Sequence, residues 1–311
     1  LSLSPEGVSA AEDPWERGPV KHLLPLCNHD TILVKASFRE PFDEAPVLHL
    51  GDRSVAGIRM DGSGRFFRFH CAALTADTEY ELAIHDDSGG RLCDAWPLRT
   101  MPRPDAAVDH FRLAVYTCAG GLENVPLRGS DLWIPIAQRQ RMFERILSFQ
   151  PHAVVGVGDQ VYWDQITGVY KYVKMDIPDL RESIEAQWDR FGRFERNLPM
   201  LGSANETVLT RVVDEQLAEL YGVRFRSVPT ILTQDDHDYF ENDEATDEFI
   251  AFPPDAFMMR AARATQRLYF PEFLPDANRP AGLGATDAAP DPYRLGEAYG
   301  TLRYGKLFEG L

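Results

Sequence analysis

Residues 153–162 read Ala-Val-Val-Gly-Val-Gly-Asp-Gln-Val-Tyr, and no other stretch narrows the possible folds as much. An apolar run without polar alternation fits a strand buried on both faces, as in parallel sheets. In open α/β sheets ligands gather beyond the carboxyl ends of such strands. Asp159 and Tyr162, which close the run, are therefore expected at the mouth of a crevice. Two other segments have the same form: 228–233 runs into Gln234, Asp235, Asp236, His237 and Asp238, and 111–117 runs into Cys118. Each of the three strand-like segments thus delivers a side chain able to ligate a metal.

The 311 residues suffice for two domains, and the pattern changes along them. Residues 1–21 lack periodicity and read as an N-terminal arm. Between 22 and 104, short alternating segments separated by turns at 61–64 and 86–90 predict a small β-sandwich. Ile32, Val34 and Ala36 form one face of its strand 31–38. Phe67 and Phe69 oppose Arg68 and His70 in the next, and Tyr80, Leu82 and Ile84 line a third. Segment 74–80 resembles the turn-and-tyrosine corner of fibronectin type III domains, in which the phenol bonds to nearby backbone. His70 and His85 fall at outward positions and read as surface or packing residues.

Residues 105–311 form the second domain. Strand 111–117, helix 136–149 and strand 153–157 follow one another as a parallel, right-handed crossover, the logic of an α/β fold. Met142, Ile146 and Phe149 are the expected apolar face of that helix, with Arg139, Arg141 and Glu144 toward solvent. Further helices are expected at 179–194, 207–221 and 255–269. Gly222 ends the second of these, and Asn205 reads as its cap rather than as a glycosylation acceptor. A flexible Pro/Gly/Ala stretch at 271–292 precedes a last strand from about 299.

Composition excludes some partners. Asp plus Glu number 48 against 32 Lys plus Arg, a formal charge of -16, the wrong sign for a general nucleic-acid or anionic-membrane binder. No apolar run approaches the roughly 20 residues of a membrane span. The first twenty residues hold no signal-peptide core, although a leader removed earlier stays compatible with a chain lacking an initiator Met. Cys27, Cys71, Cys93 and Cys118 have no metal-finger spacing. The first three read as buried thiols, which points to a reducing cytoplasm.

The candidate ligands suit hard cations, to which a phenolate and a thiolate can add charge. Asp159 has two oxygens with which to bridge two ions, Tyr162 can return to one of them, and Asp236 suits the second. Two metals about 3.5–4 Å apart would activate a hydroxide and clamp a phosphoryl group. His237 is then placed to orient the phosphate or protonate the leaving oxygen. The eight acidic residues between 235 and 248, with no base among them, repel one another unless water, cations or neighbouring bases offset their charge.

Taken together, Thr117-Cys118, residues 158–162 (Gly-Asp-Gln-Val-Tyr), Val228-Pro229 and residues 235–238 (Asp-Asp-His-Asp) resemble the PhoD-like phosphatases, the alkaline phosphatase D branch of the calcineurin-like metallophosphoesterases. The resemblance implies a fibronectin type III-like β-sandwich followed by an α/β metallophosphoesterase sandwich of αββα form. It implies hydrolysis of phosphomonoesters or phosphodiesters with iron plus calcium or another divalent cation. Cys118 and Tyr162 would favour the iron, Asp159 would bridge, Asp236 would hold the second ion, and His237 would face the phosphate. The chain departs from the family at Gln234, where an aromatic residue is common, and at Trp163, where an acid is common. The family completes its site with late histidines, yet no His follows His237. The expectation is therefore that 105–311 is the N-terminal portion of the catalytic domain, with a missing C-terminal segment as its partner. The competing reading is a noncatalytic interaction or scaffold protein with a degenerate phosphatase-like domain.

Overall fold

Alternation and turns in the first hundred residues build two antiparallel four-stranded sheets. The computed structural model describes residues 14–310, apart from 124, 128–129, 132, 164–177, 240–255 and 272–301. One sheet runs β1 (Val20–Cys27), β2 (Ile32–Phe38), β6 (Phe66–Cys71), β5 (Ile58–Arg59). The other runs β4 (Arg53–Ala56), β3 (Val47–Leu50), β7 (Glu79–His85), β8 (Trp96–Arg99). Val34, Phe67, Phe69, Leu48, Leu82, Ile84 and Trp96 share the core between them. The Tyr80 hydroxyl accepts the Thr75 N–H at 2.8 Å, the corner bond expected from the sequence. Cys27, Cys71 and Cys93 are buried free thiols.

β2 departs from its expected alternation: all seven residues are buried, including Lys35 and Ser37. Its outer face is covered by α5 (Ala256–Tyr269) of the second domain. Lys35 reaches through that contact, its ammonium donating to the Arg267 carbonyl.

The second domain is organised on three parallel strands in the order β13 (Thr230–Leu232), β12 (Ala153–Val157), β9 (Leu113–Thr117). A two-residue hairpin, β10 (Pro126–Leu127) with β11 (Ser130–Asp131), lies between β9 and α1 (Ile136–Ser148). Further along come α2 (Pro178–Phe191) and α3 (Ala204–Val213). The turn Asp214–Ala218 is π-helical and leads into α4 (Glu219–Tyr221). The last described strands, β14 (Leu302–Tyr304) and β15 (Phe308–Gly310), pair antiparallel.

Ala114, Tyr116, Val154 and Leu232 turn one sheet face toward a core that includes Phe143, Val212, Leu217, Tyr221 and Phe225. Leu113, Ala153, Val155 and Ile231 turn the other face toward the sandwich cluster. The expected burial of β12 on both faces holds only for its first half. At the carboxyl end Val157 is 41% exposed, and on the adjacent strand Val115, the partner of Val155, is 60% exposed.

Two helix assignments need correction. In α1 the buried residues are Arg139 and Phe143, whereas Met142 and Phe149 are exposed. The reason is polar: the Arg139 guanidinium donates to the carbonyls of Ala119, Gly120 and Gly121 at 2.8, 2.6 and 3.0 Å, which turns that face inward. At α3 the cap is Ser203, whose hydroxyl accepts the Asn205 N–H at 3.1 Å. Asn205 is wholly buried, with its side chain bonded to the backbone of Glu195, Leu198 and Pro199.

Asp214, on the π-helical turn, joins the two domains. Its carboxylate accepts from Lys21 Nζ at 2.9 Å, Arg65 at 3.0 Å and the Tyr269 hydroxyl at 2.7 Å. Glu206 accepts the N–H groups of Gly62 and Ser63 at 2.9 and 3.0 Å, fixing the 61–64 turn against α3. Among the described residues no helix is long and apolar enough to cross a membrane. The Pro271–Pro292 stretch lies, beyond Pro271, outside the described residues.

Candidate metal centre

Each strand of the parallel sheet ends in a tight turn. Cys118 after β9 and Asp159 after β12 have φ of 55° and 54°, and Gly158 has 66°. Left-handed backbone at two non-glycine residues costs of order 1 kcal/mol or more each and tends to mark functional turns. Gly158 is needed for a second reason: a Cβ there would lie 2.4 Å from Cβ of Asp235, so its absence lets the turns after β12 and β13 touch. The Gly120 N–H donates to the Asp159 carbonyl at 2.9 Å, closing the first turn onto the second.

Asp159 lies where these turns meet and is 8% exposed. Its Oδ2 accepts from the Cys118 thiol and from the Tyr162 hydroxyl, both at 3.2 Å. Its Oδ1 is buried without a hydrogen-bond partner among the described residues. A buried, unsatisfied carboxylate oxygen is costly, and a cation is one group that removes the cost. Asp236 and His237, on the 3₁₀ turn Asp236–Tyr239, complete the arrangement: one ligand atom from each of Asp159, Asp236 and His237 lies within 4.8 Å of the others. The His237 ring rests 4.2 Å from that of Tyr162, and Trp133 packs against the same phenol at 4.3 Å.

Burial pushes the Cys118 thiol up, and the Asp159 carboxylate adds to the shift. Tyr162 is raised by burial first, then by the charges of Asp159 and Cys118. Cation binding would invert this, favouring the anionic forms and releasing protons.

The same constellation rests on a known scaffold. The chain has the fold of PhoD. The overlap with that structure has a TM-score of 0.54 at 13% identity and covers 97% of this chain and 52% of the PhoD chain, so this chain spans about half the length of its structural relative. A purple acid phosphatase from yellow lupin (Lupinus luteus) seeds overlaps with a TM-score of 0.43 at 14% identity, over 84% of this chain and 42% of that one. No family model and no curated protein matches the sequence.

Within this PhoD fold the sequence reading missed several supporting groups. Asp238, quoted in the motif but given no role, is wholly buried. Its Oδ1 accepts Val161 N–H at 2.8 Å, and its Oδ2 accepts Asp235 N–H at 3.0 Å and Gln160 N–H at 3.3 Å. Burial raises its pKa to about 7, against the pull of those three bonds. Gln160 accepts from the Tyr221 hydroxyl at 2.6 Å and donates to the Gly158 carbonyl at 2.7 Å. Gln216 accepts from backbone of both the Cys118 and Asp159 turns. Asp238 and Gln160 stand in the quoted motifs, which was a usable signal; Gln216 does not stand out in sequence.

The two departures from the family pattern have structural roles. Gln234 donates to the Ala262 carbonyl at 2.7 Å and accepts from the Tyr239 hydroxyl at 3.2 Å, tying the site loop to α5. Trp163 is fully buried against Phe194 at 5.6 Å, so it packs the domain. Tyr170, Tyr172 and Phe240 lie outside the described residues.

Proposed function

We propose that the chain is a PhoD-like metallophosphoesterase that hydrolyses phosphomonoesters or phosphodiesters with the help of two metal ions, iron plus calcium or another divalent cation. The observation that carries this reading is buried Asp159 at the carboxyl ends of a parallel sheet: its Oδ1 has no hydrogen-bond partner among the described residues, and one of its carboxylate oxygens lies within 4.8 Å of ligand atoms of Asp236 and His237. Asp159 would bridge the ions, Cys118 and Tyr162 would hold the iron side, and Asp236 would hold the other. Bound there, the cations supply Lewis acidity and neutralise phosphoryl charge. His237, braced on Tyr162, orients the phosphoryl group and gives its proton to the departing oxygen. In this reading 22–104 is the fibronectin type III-like sandwich, and 105–311 is the N-terminal portion of an αββα catalytic domain.

Hydrolysis of p-nitrophenyl phosphate and bis(p-nitrophenyl) phosphate, after reconstitution with iron and calcium, tests the proposal. Activity in the wild type, reduced at least about 100-fold in Asp159→Asn with the far-UV circular dichroism unchanged, is the expected result. Failure to cleave either ester after metal loading would favour the noncatalytic scaffold.

A further inference from the structure

Gln216 is wholly buried on the π-helical turn between α3 and α4, the turn that also carries Asp214. Its Oε1 accepts two backbone N–H groups, from Gly121 at 3.0 Å and from Tyr162 at 2.9 Å. Those amides belong to the two turns that carry Cys118 and Asp159. Gln216 Nε2 is buried without a partner among the described residues, so the oxygen alone orients the amide. Leaving a buried donor without a partner is costly. The fold accepts that cost where one oxygen joins two turns at the candidate metal centre, and π-helical turns are rare and concentrate at functional sites.

The opposite side of the first turn is held by Arg139, which binds the carbonyls of residues 119–121. Its N–H at Gly121 is left to Gln216. At the second turn Asp238 takes the amides of Gln160 and Val161, and the next amide, that of Tyr162, is left to Gln216. The geometry points to Gln216 as a positioning residue for Tyr162 and the Cys118 turn, setting the approach of both side chains to Asp159. It touches none of the reacting groups itself. The inference rests on the metallophosphoesterase reading only in so far as Tyr162 and Cys118 are ligands.

The test compares wild type with Gln216→Met, which keeps length and volume but removes the acceptor, and Gln216→Glu, which restores it. Hydrogen exchange at the Gly121 and Tyr162 amides is measured alongside Mn²⁺ binding by calorimetry and the thermal midpoint. Gln216→Met is expected to speed exchange at those two amides and to weaken Mn²⁺ binding, each at least about tenfold, with Gln216→Glu returning both toward wild type. A role in stability alone would lower the midpoint and leave Mn²⁺ affinity unchanged, and that result overturns the inference, as does unchanged exchange at both amides. If wild type takes up no Mn²⁺, the metallophosphoesterase reading falls, while exchange still decides the positioning: faster exchange sustains it and unchanged exchange ends it. Should Gln216→Met not fold, Gln216→Asn, one methylene too short to reach, is judged by the same readouts.

Discussion

Three backbone N–H groups converge on the buried carboxylate of Asp238, one from the β13 turn and two from the β12 turn. Replacing it with Ala strands those donors, and an unsatisfied buried donor costs about 1–3 kcal/mol. Removal of a desolvated carboxylate, whose pKa burial has raised to about 7, returns part of that loss. Asp238→Ala is therefore expected to lower stability by about 2 kcal/mol in urea unfolding, and a change under about 0.5 kcal/mol would contradict the bridging role. Asp238 has its acceptor sites filled by the protein, whereas Asp159 keeps one oxygen without a donor among the described residues. Both were visible in sequence as carboxylates after apolar runs, but only side-chain geometry tells a fastener from a candidate ligand.

Among elements, the strands of the parallel sheet were the most legible, since an apolar run ending on Gly158-Asp159 admits few folds. Their junction was less so. The left-handed turns at Cys118 and Asp159 are formed without glycine at those positions, so the composition there gives little warning. Helix α1 shows a second limit. Apolar periodicity chose Met142 and Phe149, but three carbonyls of the 119–121 turn needed donors, and Arg139 with Phe143 went inside instead. Tertiary demand for hydrogen bonds overrode the helical pattern. At α3 the competition was between two good capping residues two positions apart, and Asn205 was drawn away by the carbonyls of the preceding loop. The π-helical turn carrying Asp214 and Gln216 leaves no periodic signature at all.

At the scale of the molecule, the sandwich and the α/β domain are joined through buried polar groups as well as apolar ones. His22 of β1 is fully buried 5.6 Å from the Tyr269 ring, with Asp214, Lys35 and Lys21 as its charged neighbours. Burial lowers its pKa from 6.5 to about 3, an effect that Lys35 and Lys21 reinforce and Asp214 opposes. Between those values the unfolded chain binds the proton and the folded one does not, so stability falls as pH drops below about 6.5. His22→Leu should remove that component: from pH 7 to pH 5 wild type is expected to lose about 2 kcal/mol more than the variant. Equal losses would place the acid sensitivity elsewhere. Burial at the junction of the two domains thus favours the neutral imidazole of His22.

In the proposed reading the carboxyl ends of β9, β12 and β13 form a metal centre with Asp159 at its middle. Calorimetric titration of Mn²⁺ into wild type and Asp159→Asn, both checked for an unchanged fold by circular dichroism, addresses it most directly. Saturable binding to the wild type and at least about tenfold weaker binding to the variant are expected. Equal binding by the two proteins, or no binding by the wild type, would contradict that reading.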